Sequence, residues 1–145
     1  MPTLEEMKET VLKFTEEVFN KGDMAYADRT LADDMIEHGA MPGMGTDKKA
    51  ALMTMEAIKQ MSSDLKAEVV DMVASGDKVA IRTVMRGTDT GGAMPGAPAT
   101  NKPFEIESID VVRVNPDGTF AEHWGIADMM GMMGQLGLLP PPPQS

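Results

Sequence analysis

The sequence predicts an α+β fold because two periodicities appear along the chain in a definite order. Residues 3–61 contain segments whose apolar residues recur every three or four positions, the spacing of one buried helix face. Residues 66–126 instead alternate apolar and polar residues, as strands with one buried face do. Helices followed by an antiparallel meander indicate a sheet that buries one face against those helices. With 145 residues, the chain is sized for one domain, which we assign to residues 1–139.

Three helices and one short strand are predicted in the first half. The first helix carries Leu4, Met7, Val11, Phe14 and Val18 on one face and begins with a capping-box pattern, a Thr followed three residues later by Glu. The second helix is short, a brief strand follows it, and the third helix packs through Leu52, Met55, Ile58 and Met61. The predicted bounds are 3–21, 24–32, 33–39 for the strand, and 47–61.

Two hairpins and a last helix are predicted in the second half. Ser-Gly-Asp-Lys and Asn-Pro-Asp-Gly are both good tight-turn sequences, and they join strands 66–74 to 79–88 and 103–114 to 119–126. A Gly- and Pro-rich stretch at 90–102 is too long for a plain connection and is a candidate rim or lid. The last helix is expected at about 127–136, with Asp128 near its N-cap. Residues 140–145 are expected to form a disordered Pro-rich tail.

Composition excludes several classes of function. A formal charge of −10 argues against binding nucleic acid or anionic lipid, since an acidic surface repels phosphate. There is no cysteine, and His38 and His123 are the only histidines, so we expect no metal site. The start MPTLEEMKET is unlike a secretory signal, and no apolar run approaches the ~20 residues that span a bilayer. We therefore expect a cytoplasmic protein.

Methionine is abundant, with sixteen residues against six aromatic ones. Its flexible thioether fills irregular volumes, so one reading is simply a malleable core and the other is a pliable pocket for a flat hydrophobic ligand. On the second reading, the candidates for ligand contact are Met35, Met85, Met129 and Met133.

The second hairpin carries the candidate catalytic pair. If Asn-Pro-Asp-Gly forms a four-residue loop, Asp110 lies directly opposite His123, where a carboxylate and an imidazole would form an acid/base couple. If the turn instead contains a Gly bulge, Asn115 pairs with Thr119 and His123 moves to the other face. Spacing alone leaves both registers open.

Three further residues are candidates for contact with a ligand. His38 precedes a Gly-Pro loop, and Tyr26 carries a hydroxyl on the second helix. Trp124 follows His123 on one strand, so the two side chains point to opposite faces and only one of them can line a given cavity. Each of the three also has an ordinary reading as an exposed or core-edge side chain.

The sequence resembles the SnoaL-like polyketide cyclases, often called ester cyclases, from about residue 8 to residue 140. The segments that carry the resemblance are FNKGDMAYADRTLADDMIEHG, RGTDTG, MPGAPATNKPFEIESIDVVRV and GTFAEHWGIADMMGMMGQLGLLP. The resemblance implies the nuclear transport factor 2-like fold: a cone-like barrel in which helices close over a curved antiparallel sheet and leave a central hydrophobic pocket. It also implies a homodimer that forms through the outer face of the sheet.

The same resemblance implies a cofactor-free reaction on a hydrophobic aromatic carbonyl compound such as an ester. An aspartate would remove a proton next to the carbonyl and so start an intramolecular aldol condensation or an isomerisation. Many relatives have Asp or Glu directly after the His-Trp pair, whereas this chain has Gly125, and Asp89 replaces the His of a Thr-His-Thr motif. Asp110 is then the best remaining carboxylate, with His123 beside it. The alternative is a non-catalytic protein that binds a hydrophobic small molecule.

Overall fold

The computed structural model describes residues 1–94, 96–140 and 142–144, so three positions of the loop and tail predictions, Pro95, Pro141 and Ser145, lie outside the described residues. Mixed α and β elements confirm the predicted fold class. The helices are α1 (Leu4–Phe14), which continues into a π-helical segment (Thr15–Asn20), α2 (Met24–Thr30), α3 (Lys48–Met61) and α4 (Met129–Gln135). The strands are β1 (Leu31–Glu37), β2 (Lys66–Ser75), β3 (Lys78–Thr88), β4 (Pro103–Val114) and β5 (Phe120–Ala127).

One curved, unclosed sheet contains all five strands, in the order β1-β5-β4-β3-β2. Strands β2 to β5 form the predicted antiparallel meander. Strand β1 is the exception, because it pairs with β5 in parallel and brings Glu37 opposite His123. A parallel neighbour cannot be reached by a tight turn. The long excursion through α3 and three strands separates these two partners in the chain.

The N-terminal helices cover the inner face of this sheet. Thr3 and Glu6 form the predicted capping box, in which each side chain bonds the other residue's amide. At the end of the π-helical segment, the Asn20 side chain donates to the carbonyl of Ala67 at 2.9 Å and accepts from its amide at 2.7 Å. These two bonds tie the helix to strand β2. Among the described residues, no helix is long and apolar enough to cross a membrane.

The core has two parts, one beneath the helices and one at the other end of the sheet. The first contains Met7, Val11, Phe14, Met35 and Phe120, packed between α1, β1 and β5. In the second, Met132 and Leu136 of α4 pack against Met61, Phe104 and Ile106. Helix α4 therefore closes the end of the sheet rather than the space beneath the helices. Its N-cap is Asp128, as predicted, which accepts from the amide of Gly131 at 2.9 Å.

The connection between β3 and β4 is fixed in place by Asp89, which is completely buried. Its carboxylate accepts from the amide of Gly92 and from both the amide and the hydroxyl of Thr100, each at 2.9 Å. None of the described residues of this loop lines the central cavity. The expectation of a rim or lid is therefore wrong, because the described residues of the loop fold around the buried carboxylate of Asp89 and contribute nothing to the cavity wall.

The β4–β5 hairpin combines features of both predicted registers. Asn115 bonds Thr119 across the turn, as in the second register. A bulge then lies between the pairs Val114–Phe120 and Arg113–Glu122, and it shifts the ladder by one more residue. As a result Asp110 lies opposite Gly125. The prediction that Asp110 lies directly opposite His123 is therefore wrong. Asp110 and His123 are nevertheless diagonal neighbours on one face of the sheet. The first register also predicted that they share a face.

Candidate active site

A cavity of about 200 Å³ lies between the helices and the inner face of the sheet. Its wall is mainly apolar, with Phe14, Phe19, Met55 and Ile58 contributed by the helices. The predicted contacts Met35 and Met85 also line it. Glu37, Thr83, Ser108, Asp110 and His123 contribute polar groups from the sheet. Mostly apolar walls with a few convergent polar groups are typical of small-molecule sites.

The imidazole of His123 is held between two carboxylates. Its Nδ1 lies 2.7 Å from Oε1 of Glu37, and its Nε2 lies 2.8 Å from Oδ1 of Asp110. The hydroxyl of Ser108 donates to the other oxygen of Asp110 at 3.0 Å, and the amide of Gly39 donates to Glu37 at 2.6 Å. The structure therefore brings together the two predicted catalytic residues and adds a third ionisable group.

The two carboxylates decide the charge of this imidazole. Burial alone would lower the pKa of His123, but the hydrogen bonds and charges of Asp110 and Glu37 outweigh it and raise the pKa to about 9. At neutral pH His123 is then an imidazolium that donates from both nitrogens. Among the described residues, no three His, Asp or Glu side chains are grouped so as to hold a metal ion.

Two glycines, Gly125 on β5 and Gly39 just after the end of β1, make room for this arrangement. A Cβ added to Gly125 would overlap Oδ1 of Asp110 and lie 3.0 Å from the His123 ring. A Cβ added to Gly39 would lie 3.1 Å from the same ring and 3.2 Å from Glu37. The carboxylate of Asp110 thus occupies the space into which a side chain at position 125 would project. In this geometry a side chain directly after the His-Trp pair and the carboxylate of Asp110 cannot occupy the same space.

Two predicted contacts, His38 and Trp124, lie on the outer face of the sheet and do not line the cavity. Their rings stack with centroids 5.1 Å apart, and Nε2 of His38 lies 2.9 Å from Glu122. Alternation along β5 explains the placement, because His123 faces inward and its neighbour must face outward. Of His123 and Trp124, only His123 therefore lines the cavity.

Three more predicted contacts also lie elsewhere. Tyr26 packs against Phe14 beneath the guanidinium of Arg29, at the edge of the core. Met129 and Met133 are on α4, which packs at the other end of the sheet through Met132 and Leu136. The expectation that these three side chains line the pocket is wrong, because α2 and α4, the helices that carry them, contribute no residue to the cavity wall.

Glu37 is the functional candidate that the sequence did not reveal. Its side chain is buried, with the residue only 3% exposed, and its partner His123 is 86 residues away in the chain. Alternation along β1 places Glu37 on the face of Met35, which was a predicted contact. That pattern was the available signal. Ser108 and Thr83 were also missed, and they face each other across β4 and β3.

Solved structures share this architecture over most of the chain. The chain is 33% identical to wild-type IdmH, a putative polyketide cyclase from Streptomyces antibioticus, covering 91% of this chain and 99% of that one with a TM-score of 0.78. It is 26% identical to TsrD from Streptomyces laurentii, covering 92% and 96% with a TM-score of 0.80. AclR, a putative hydroxylase from Streptomyces galilaeus, matches at 24% identity over 98% and 91% with a TM-score of 0.83, a likeness of fold.

A family model extends the comparison to the sequence itself. The model described as SnoaL-like polyketide cyclase matches residues 9–136, from α1 through α4. No match was found among curated proteins. The match includes β1, β4 and β5, the three strands that carry Glu37, Asp110 and His123. The extent of this match and the likeness to IdmH together show that the chain belongs to the SnoaL-like polyketide cyclase family.

Proposed function

We propose that the protein is a cofactor-free enzyme that removes a proton next to the carbonyl of a hydrophobic compound, with Asp110 as the general base. The observation that carries the proposal is a carboxylate in the wall of an apolar cavity, fixed through Oδ1 by His123 and through Oδ2 by Ser108. Both hydrogen bonds hold the base in one position. Placement of that kind supports proton transfer, which is typically worth about 10²–10⁴ in rate.

The positions of the protons on His123 and Asp110 decide which of the two is the base. His123 donates from both ring nitrogens, and with a pKa of about 9 it has no free site for a proton at neutral pH. Asp110 retains lone pairs on both oxygens, since each oxygen accepts one hydrogen bond. His123 is therefore the partner that holds and charge-balances the base. Glu37 acts through His123 and is a positioning residue.

The reaction can be balanced with these groups alone. Asp110 takes the proton of a carbon next to the carbonyl, and the substrate becomes an enolate while Asp110 becomes neutral. The enolate carbon then forms a bond to a second carbonyl carbon in the same molecule, whose oxygen becomes an alkoxide. That carbon–carbon bond closes the ring, and Asp110 then returns the proton to the alkoxide, which completes the aldol addition and restores the carboxylate. If the substrate has a C=C bond conjugated with the enolate, return of the proton to the far carbon of that dienolate moves the double bond and gives an isomerisation instead.

A small ketone tests the base without knowledge of the natural substrate. We expect the wild-type protein to accelerate exchange of the benzylic α-hydrogens of 2-tetralone for deuterium in D₂O, followed by proton NMR. Asp110→Asn should lower the protein-dependent rate by at least ~10². Asp71→Asn is the matched control, because Asp71 is an exposed carboxylate on β2 outside the cavity.

Two results would contradict the proposal. One is exchange no faster than in buffer, and the other is exchange that Asp110→Asn leaves unchanged. Saturable binding of 2-tetralone with no exchange would favour the alternative, a non-catalytic protein that binds a hydrophobic small molecule in the same cavity.

A further inference from the structure

We infer that the hydroxyl of Thr83 binds the carbonyl oxygen of a neutral substrate that carries one or two rings in the cavity. The inference rests on the proposed function, because the oxygen of this carbonyl would become the enolate oxygen when Asp110 removes the proton. It adds the group that receives the developing charge and the chemical class of the substrate.

Among the described residues of the cavity wall, Thr83 carries a hydroxyl that donates to no other protein group. Of the other hydroxyls that line it, Ser108 donates to Asp110, Thr15 to the carbonyl of Val11, and Thr54 to the sulfur of Met44. Thr83 has no hydrogen-bond partner among the described residues, although it is only 8% exposed. No fully buried side-chain oxygen of the described residues lacks a partner, so the Thr83 oxygen is accessible, and the space it borders is the cavity. An accessible hydroxyl in the wall of a mostly apolar cavity is placed to donate to a polar atom of a ligand, as the few polar groups of small-molecule sites do.

Its position matches the geometry that the reaction needs. Thr83 on β3 lies opposite Ser108 on β4, and Ile81 lies opposite Asp110. Thr83 and Asp110 are therefore diagonal neighbours on one face of an antiparallel pair, with Cβ atoms about 7 Å apart. A donor and a base at that separation can contact a carbonyl oxygen and a hydrogen on the adjacent carbon of one molecule. A donor placed where negative charge develops lowers the barrier.

The charges of the site select a neutral substrate. Among the described residues that line the cavity, none is Lys or Arg. The two carboxylates and the single imidazolium leave one net negative charge, in a chain whose formal charge is −10 when its histidines are counted as neutral. A carboxylate or phosphate brought into this cavity would lose its hydration and find no cation to replace it. An ester or a ketone meets no such penalty.

The volume of the cavity limits the size of the substrate group that it can hold. A cavity of about 150 Å³ is known to accept benzene, and this one measures about 200 Å³. It therefore accommodates one substituted ring or two small fused rings between the helices and the sheet. A two-ring ketone such as 2-tetralone represents the class.

Infrared difference spectroscopy of bound 2-tetralone tests the hydrogen bond directly. We expect the carbonyl stretch to move to lower wavenumber in the wild-type complex, because a hydrogen bond weakens the C=O bond. Thr83→Val removes the hydroxyl with little change of shape; it should abolish this shift and weaken binding about three- to tenfold. Thr83→Ser keeps a hydroxyl and should retain the shift. Tetralin, which lacks the carbonyl, should bind wild type and Thr83→Val equally.

The outcomes separate this inference from the proposed function. In Asp110→Asn the carbonyl shift should persist while hydrogen exchange is lost, so failure of the base does not remove the evidence for the donor. A carbonyl shift that is the same in Thr83→Val would overturn the inference even if exchange continues. Absence of saturable binding of 2-tetralone would also overturn it, because the cavity would then reject the substrate class.

Discussion

At the scale of single residues, the site depends on one imidazolium between two carboxylates. His123 bonds Glu37 through one nitrogen and Asp110 through the other, at 2.7 and 2.8 Å. Charge-assisted hydrogen bonds of this kind are stronger than neutral ones and fix the orientation of both partners. The carboxylate that we propose as the base therefore stays in one position when the cavity is empty.

Gly125 is the residue that permits this arrangement, and its replacement gives a prediction. Gly125→Ala places a Cβ against Oδ1 of Asp110 and must push that carboxylate away from His123. We expect the pKa of His123 to fall and exchange of 2-tetralone to drop at least tenfold. NMR titration and the exchange assay would measure both. Gly134→Ala is the control, because a Cβ there meets only the end of the Leu139 side chain at 3.3 Å.

An unchanged His123 pKa together with full exchange activity in Gly125→Ala would show that Asp110 has another position from which it can act. The steric account of the residue after the His-Trp pair would then be wrong.

At the scale of secondary structure, the loop between β3 and β4 depends on Asp89. Burial alone would raise the pKa of Asp89, but hydrogen bonds from Thr100, Gly92 and Ala93 outweigh it and hold the pKa below its usual value. The folded pKa is the lower one, so this stabilisation is present above the ordinary value near 4 and is lost as pH falls through the folded pKa. The loop is a structural support of the second core.

Asp89→Asn tests the role of this carboxylate. The amide group presents a donor to atoms that themselves donate, so we expect a loss of about 2–3 kcal/mol in the free energy of unfolding, measured with urea. Binding of 2-tetralone should stay within twofold, because no described residue of the loop lines the cavity. Asp117→Asn is the matched control: Asp117 also accepts from an amide and a hydroxyl, both of Thr119, but in an exposed turn.

Urea unfolding of Asp89→Asn at the wild-type midpoint would contradict the structural role. Tenfold weaker binding of 2-tetralone by a variant of unchanged stability would show that the loop acts as a lid on the cavity.

The elements that sequence could predict are those built from local signals. The capping box at Thr3 and Glu6, the period of α1 and α3, and the turn sequences all act within a few residues. The pairing of β1 with β5 was beyond reach, because it joins residues 86 positions apart, and Glu37 was missed with it. The bulge beside Val114 left no clear mark in the sequence, so the exact partner of Asp110 could not be predicted although its face could.

At the scale of the whole molecule, the titration of His123 gives the folded state a pH dependence on the alkaline side. The folded pKa of about 9 lies above the ordinary value of 6.5, so the folded protein binds the proton more tightly than the unfolded chain. The resulting stability is fully present below pH 6.5 and is lost as pH rises through 9. At about 1.4 kcal/mol per pKa unit, the total is about 3 kcal/mol.

Urea unfolding at a series of pH values checks this expectation. The free energy of unfolding of the wild type should fall by about 3 kcal/mol between pH 6.5 and 10, and the slope should flatten in His123→Gln. His38→Gln is the control, because that ring is on the outer face beside Trp124. Equal slopes in wild type and His123→Gln would show that the imidazolium does not stabilise the fold.

The central claim, that Asp110 and His123 form one coupled site, is tested most directly by NMR titration of the two histidines in wild type and in Asp110→Asn, with His38→Gln to assign the signals. We predict that His123 titrates near pH 9 in the wild type and at clearly lower pH in Asp110→Asn, where one of its two carboxylate partners is lost. A His123 that titrates near 6.5 and does not respond to Asp110→Asn would contradict the account.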